Sequence, residues 1–270
     1  MRKITLNDAI YSPFVGESIG KGISASAQDI GAVLLEHTSI IGQGRAYSYA
    51  SAGHHYICST MMDSVFSAAA VDPAEFMAGK SDVPCSFTHA YECACWGYCL
   101  NYHLVHKPLE RSLVISIVDV NSMEMSYWTS NAQWGRSGFG IMTLCFEVED
   151  DESGKVLHTG MGLGGNDIIT FASIAKQVVR DFKACTLSLP FFPDAISIPM
   201  RRSLKGVELL KERHADYGHA FGSDPWISFI RDHAEADRSE QWIVFGSLAL
   251  RGYYCFANIF IAADVNVRHF

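Results

Sequence analysis

Positive charge is scarce in this chain. Its 270 residues hold 21 Lys and Arg against 29 Asp and Glu, a formal net charge of -8 at pH 7. That balance argues against nucleic acid as a partner, because phosphate neutralisation needs a basic face. Long apolar runs are missing too. The best candidates, 113–120 and 243–250, are strand-sized, well short of the about 20 residues that span a bilayer. No membrane partner is expected. Met1-Arg2-Lys3 is followed by no apolar run, so no signal peptide is expected either and the location is read as cytoplasmic. In that setting the eight cysteines are expected to be thiols rather than disulfides. The sequence also lacks low-complexity segments and any repeat obvious by eye.

What is present is apolar: hydrophobic residues make up 49% and charged residues 19%, which predicts a well-packed globular chain. Apolar spacing predicts helices over 24–38, 64–78 (with a turn at Asp72-Pro73), 96–106, 168–184, 202–214 and 226–235. Strands are predicted over 56–60, 86–91, 112–119, 139–149, 242–250 and 253–262. The run 112–119 is apolar almost throughout, as in a strand covered on both faces. Residues 190–199 read as irregular and punctuated by proline. The charged run from Glu147 to Gly154 marks the best boundary, dividing the chain into 1–150 and 151–270. Alternating strands and helices predict a layered α/β fold.

Chemistry concentrates in Tyr91-Glu92-Cys93-Ala94-Cys95-Trp96-Gly97-Tyr98. Here an extended run meets a helix, and a helix start stabilises a thiolate through its free N–H groups and partial positive charge. Cys95 is the candidate nucleophile on that ground.

The order of motifs around this elbow resembles the thiolase-like superfamily, in its β-ketoacyl-acyl carrier protein synthase III branch. Tyr56-Ile57-Cys58-Ser59-Thr60 with Met62-Asp63 looks like the family's strand ending in a Thr-Thr-Pro-Asp-type turn. Residues 86–98 look like the strand and elbow ending in Ala-Cys-Ser-Gly-Phe, with Cys95 on the acyl-accepting cysteine. Trp134-Gly135-Arg136-Ser137-Gly138-Phe139-Gly140 is similar to the Phe-Gly-Asp-Gly-Ala-Gly segment. Residues 158–167 resemble the loop that opens the second half, and Tyr217-Gly218-His219-Ala220-Phe221-Gly222-Ser223 the Tyr-Gly-Asn-Thr-Ser loop. Residues 245–252 resemble the terminal Phe-Gly-Gly-Gly loop. The resemblance implies a five-layered αβαβα fold of two similar halves. It implies a homodimer, or a heterodimer with a related subunit, in which an apolar strand near 86–91 continues the sheet. It also implies an acyl-thioester of coenzyme A or acyl carrier protein as substrate, with no further cofactor.

The departures bear on chemistry. The long insertion in the second half is missing. The family's catalytic His position offers Asp194, and its catalytic Asn falls on His219. Two glycines of the terminal loop are replaced by Ser247 and Leu248. The resulting expectation is a Cys–His–Asp set: Cys95 takes the acyl group, His219 moves the proton, and Asp194 orients His219. Backbone N–H groups of Cys95 and Ser247 would form the oxyanion hole. Such a site suits acyl transfer in secondary metabolism better than decarboxylative condensation.

Other readings of the same residues stand beside this one. Cys95 is also readable as a small core residue, His219 as a loop histidine, and Asp194 as a turn or helix-cap residue. A non-catalytic partner subunit of a heterodimeric enzyme fits the altered residues, as does a scaffold that kept only the fold. Cys85, Cys93, Cys95 and Cys99 cluster with His89, His103 and His106, but their spacing does not match zinc knuckles and no metal site is expected. His54-His55 reads as a loop pair before a strand. Gly160 to Asp167 reads as a turn, since it lacks the features of a nucleotide-binding loop. Arg201, Arg202 and Lys205 form a small basic cluster that reads by default as a solvated helix start, and in the sharper reading as a contact for a coenzyme A phosphate or an acidic carrier protein.

Overall fold

The computed structural model describes residues 2–14, 23–61, 76–77, 79–121, 125–151, 156–162, 167–182, 186–235, 240–249 and 251–270. The helix expected over 64–78 lies almost entirely outside them. In chain order the strands are β1 (Arg2–Pro13), β2 (His54–Cys58), β3 (Cys85–Thr88), β4 (Ser112–Asp119), β5 (Ser130–Asn131), β6 (Gly135–Arg136), β7 (Gly140–Asp150), β8 (Leu157–Met161), β9 (Thr186–Ser188), β10 (Glu208–Leu209), β11 (Gln241–Leu248) and β12 (Tyr253–His269). The longer helices are α1 (Ile23–Ile40), α2 (Cys95–His106), α3 (Asp167–Phe182), α4 (Asp194–Ser203) and α5 (Asp224–Glu235).

The large sheet runs β10-β9-β11-β12-β1-β7-β4-β2-β3, with β8 also paired to β12. Its two ends are built alike. The series β3-β2-β4-β7-β1 has three parallel strands followed by two antiparallel steps. The series β10-β9-β11-β12-β8 repeats that order and those directions. Parallel pairing of β1 with the later part of β12 joins the two arrays.

Helices complete five layers. α1 packs on β7 outside the first array, and α3 on β11 and β12 outside the second. Between the arrays lie α2 and α5, which touch strands of both. At their starts Trp96 and Trp226 meet edge to face, with ring centroids 5.0 Å apart, at the centre of the main core. The αβαβα expectation of two similar halves is met.

β4 shows why its interior is apolar except at Ser116, whose hydroxyl meets His55 and Thr143. Leu113, Ile115 and Ile117 face the central helix layer, while Val114 and Val118 face the outer clusters. Both faces are dry, so alternation with polar residues disappears. Burial of these side chains stabilises the fold by roughly 1.5–3 kcal/mol each.

β1 escaped the apolar pattern because Asn7 and Asp8 interrupt it. The register slips there, between Leu6 and Asp8, in both neighbouring ladders. Asp8 is fully buried, and its carboxylate accepts hydrogen bonds from Tyr47, Asn266 and the Gly42 amide. A buried charge is tolerated where it is so satisfied. The histidine pair also differs from expectation: His54 and His55 lie inside β2.

Two helical expectations move. Residues 194–203 form α4 even though Pro199 lies within it, with Pro193 at the N-cap position. The charged helix expected over 202–214 is replaced by a turn, the short strand β10 and a single helical turn at His214–Tyr217. Parallel pairing with β9 decides this, overriding local propensity.

Candidate active site

The elbow between β3 and α2 is left-handed at two residues that are not glycine, Tyr91 (φ 71) and Glu92 (φ 48). A third such residue, Phe221 (φ 53), lies in the loop opposite. Conformations of this kind cost on the order of 1–3 kcal/mol and persist where surrounding structure holds them. Glu92 and Phe221 both line one cavity of about 230 Å³, together with Thr60, Cys93, Trp134 and His219.

Four sequence motifs meet there. Asp119, at the end of β4, accepts hydrogen bonds from the amides of Thr60 (2.8 Å) and Gly222 (3.2 Å), tying the β2 turn to the His219 loop. The 134–140 segment clamps that loop from the side: Gly138 donates to the His219 carbonyl at 2.9 Å, and His219 donates to the Arg136 carbonyl at 2.8 Å. Phe192 stacks on the imidazole at 5.8 Å between centroids.

The cysteine beside the imidazole is Cys93. Its Sγ is 4.0 Å from His219 Nε2, and it receives a 3.7 Å hydrogen bond from Thr60 Oγ1. His219 Nδ1 lies 3.0 Å from the Phe191 carbonyl oxygen and 2.6 Å from Asp224 Oδ2. Both neighbours are acceptors, so Nδ1 carries the proton. In the neutral ring Nε2 is then left with a lone pair facing the thiol. Asp224 is fully buried and also accepts hydrogen bonds from the amides of Phe191 and Ala220.

Burial governs the titration of this site. Desolvation pushes the Cys93 thiol well above its ordinary range, and the nearby Asp119 carboxylate adds to the effect. Desolvation raises Asp119 to about 6 against its two amide hydrogen bonds, and it raises Asp224 against the influence of His219. Cys93 is thus a neutral thiol at rest that needs a base.

Three of the expected site residues are placed differently. Cys95 is buried with its Sγ beside Cys58 and Cys99, and it lies 3.8 Å from the Thr88 carbonyl rather than beside an imidazole. Its backbone N–H donates to the Glu92 carbonyl inside the elbow turn, so it is already engaged. Asp194 is exposed in the first turn of α4, and the carboxylate beside His219 is Asp224. Ser247 sits within the β11 ladder opposite Cys255, and its hydroxyl accepts the Trp96 indole N–H at 2.8 Å. Leu248 and Ala249 are the residues of that segment that reach the cavity. His219 lines the cavity, beside Cys93.

Cys93 and Asp224 were missed for different reasons. Cys93 is two residues upstream of the motif cysteine, in a tight turn that precedes α2. Asp224 before Pro225 reads as an ordinary helix start, and only its burial marks it out.

No protein-family model and no curated protein sequence matches the chain. Solved structures do. The 3-oxoacyl-(acyl carrier protein) synthase III of Pseudomonas aeruginosa PAO1 superposes with a TM-score of 0.62 at 10% identity, over 95% of this chain and 97% of that one. ChlB3, described as an acyltransferase, gives a TM-score of 0.65 at 9% identity over 95% and 97%. The priming β-ketosynthase of the R1128 polyketide pathway gives 0.59 at 9% over 97% of both chains. Likeness at such identities speaks for architecture alone. The chain has the thiolase-like fold of these structures.

Proposed function

We infer that the chain is a thioester-dependent acyltransferase or condensing enzyme in which Cys93 carries the acyl group. The observation that supports this most is the Cys93–His219–Asp224 arrangement inside a cavity walled by aromatic rings. In the loading step His219 Nε2 takes the Cys93 proton and the sulfur attacks the thioester carbonyl. A new S–C bond forms, the old one breaks, and the leaving thiolate takes the proton back from Nε2. The Phe191 carbonyl and Asp224 stabilise the imidazolium between these events. A separation of 4.0 Å between sulfur and nitrogen is long for proton transfer, and such contacts tighten when substrate is bound. The substrate of this reading is an acyl-coenzyme A or acyl carrier protein thioester with a compact apolar acyl group. A role in secondary metabolism suits the polyketide and acyltransferase neighbours. Free thiols at all seven described cysteines suit a reducing compartment such as the cytoplasm.

Incubation of the pure protein with acyl-coenzyme A, read by intact-protein mass spectrometry, tests the reading. Wild type and Cys95→Ala gain one acyl group, and Cys93→Ala gains none. Acylation of Cys93→Ala would remove Cys93 from the role.

One observation favours a second reading, a non-catalytic partner subunit. The left-handed elbow position is held by Glu92, whose carboxylate lies 3.6 Å from Arg251, and not by a cysteine. That reading expects no adduct, and instead co-purification with an active ketosynthase-like chain. Either form of dimer would use β3, the edge strand, beside the exposed α2 residues Tyr102 and Val105.

A further inference from the structure

Behind the elbow, on the side away from His219, three cysteines converge. Cys58 ends β2, and Cys95 and Cys99 lie one turn apart on the same face of α2. Their three Sγ atoms all lie within 4.8 Å of one another, and all three residues are buried. A second cavity, of about 420 Å³, is lined by Cys95 and Cys99 together with Tyr56, Ser86, Asn101 and His106. Cys95 and Cys99 therefore border a cavity that opens to solvent, while Cys58 lies behind them in the packed core.

Tetrahedral coordination with metal–sulfur bonds of about 2.3 Å places sulfurs about 3.8 Å apart. The observed cluster reaches that spacing with shifts of about 1 Å or less. Sulfur-only donors select soft, filled-shell ions over oxygen-seeking ones such as magnesium or calcium. A disulfide uses two sulfurs and strands the third, whereas a metal ion uses all three.

We propose that Cys58, Cys95 and Cys99 form a three-sulfur site for a thiophilic d10 metal ion such as zinc, with the fourth coordination position open to the side cavity. Each metal–sulfur bond forms as an S–H bond breaks, and the proton leaves to solvent, so loading releases protons and weakens as pH falls. The start of α2 presents partial positive charge to the thiolates. An occupied site would pin the end of β2 to the first turn of α2, and through it the elbow that carries Cys93. No spacing rule exposes this set, since Cys58 lies far upstream of the other two in the sequence.

The test uses the full chain, purified with reductant and chelator, then dialysed against zinc chloride and passed through a desalting column. Elemental analysis should find one zinc per chain in wild type and in Cys93→Ser, and at least a tenfold loss in Cys58→Ser and Cys99→Ser. X-ray absorption on the zinc-loaded wild type should show a shell of three sulfurs at about 2.3 Å, and this reading holds even if a serine variant fails to fold. Zinc held equally by Cys58→Ser, a nitrogen and oxygen shell, or no zinc retained by the wild type would each overturn the proposal.

Discussion

Cys93 Sγ lies 4.0 Å from Nε2 of His219, and the other nitrogen of that ring faces the Asp224 carboxylate and the Phe191 carbonyl. The pairing puts a neutral thiol against the one ring nitrogen able to accept its proton. It also separates two cysteines that are nearly adjacent in sequence. Cys93 faces the aromatic cavity, and Cys95 faces Cys58 and Cys99 on the far side of the elbow.

Asp224→Asn is expected to slow acyl loading by about 10²–10⁴-fold, because an amide stabilises imidazolium poorly and can favour the wrong tautomer. Asp194→Asn, on the surface of α4, is expected to leave the rate within about twofold of wild type. Single-turnover loading, followed by mass spectrometry, compares them. Equal loss in both variants would mean that Asp224 does not act through His219.

Cys93 is expected to react slowly with iodoacetamide at neutral pH. Its thiol is pushed up by burial, so the fraction ionised grows only above the ordinary value of 9.0. Peptide mapping after brief labelling at a series of pH values reads the rate at Cys93 itself. A plateau reached below neutrality would show a preformed thiolate and contradict the neutral-thiol account.

Gly97→Ala is expected to destabilise the protein. In an open helix the change would stabilise by about 1 kcal/mol. Here a methyl group at residue 97 would overlap the Cβ and Sγ of Cys255 in β12, part of the central core. Overpacking of this kind costs roughly 1–3 kcal/mol or more, so it outweighs the helix gain. A urea midpoint equal to or above that of wild type would show that α2 can move away from β12 freely.

Acid destabilisation through His37 is expected. His37 is buried, with Nε2 on Ser12 and Nδ1 on Thr143, and desolvation lowers its pKa to about 4. The depressed value means that the folded state refuses a proton which the unfolded chain accepts. Stability from the neutral ring is therefore full above 6.5 and is lost as pH falls toward 4, by about 1.4 kcal/mol per unit. His55, lowered to about 3 by burial, acts in the same direction. Asp119 opposes both: its folded value is raised to about 6, so its contribution is present at low pH and lost as pH rises through 6. A cycle with His37→Gln separates the terms. The stability gap between wild type and variant should narrow as pH falls from 6.5 to 4, and a constant gap would contradict the assignment.

Much of the architecture could be read from residues alone. The nearly continuous apolar run of β4 announced a strand covered on both faces, and the segment from Tyr91 to Tyr98 announced a strand-to-helix elbow, because burial and turn chemistry are written locally. β1 was hidden, since Asp8 looks like a surface residue until Tyr47, Asn266 and Gly42 are brought around it. β10 was hidden because its strand state comes from pairing with β9 and not from its own residues.

By itself the sequence determined a layered α/β chain with a cysteine-bearing elbow and a histidine in the opposing loop. Tertiary structure alone decided which cysteine meets that histidine, which carboxylate stands behind it, and which sulfurs gather on the other side. The reason is physical. Backbone periodicity depends on neighbours a few residues away, whereas the partners of a buried thiol are set by a tight turn of left-handed residues and by strands distant in the chain.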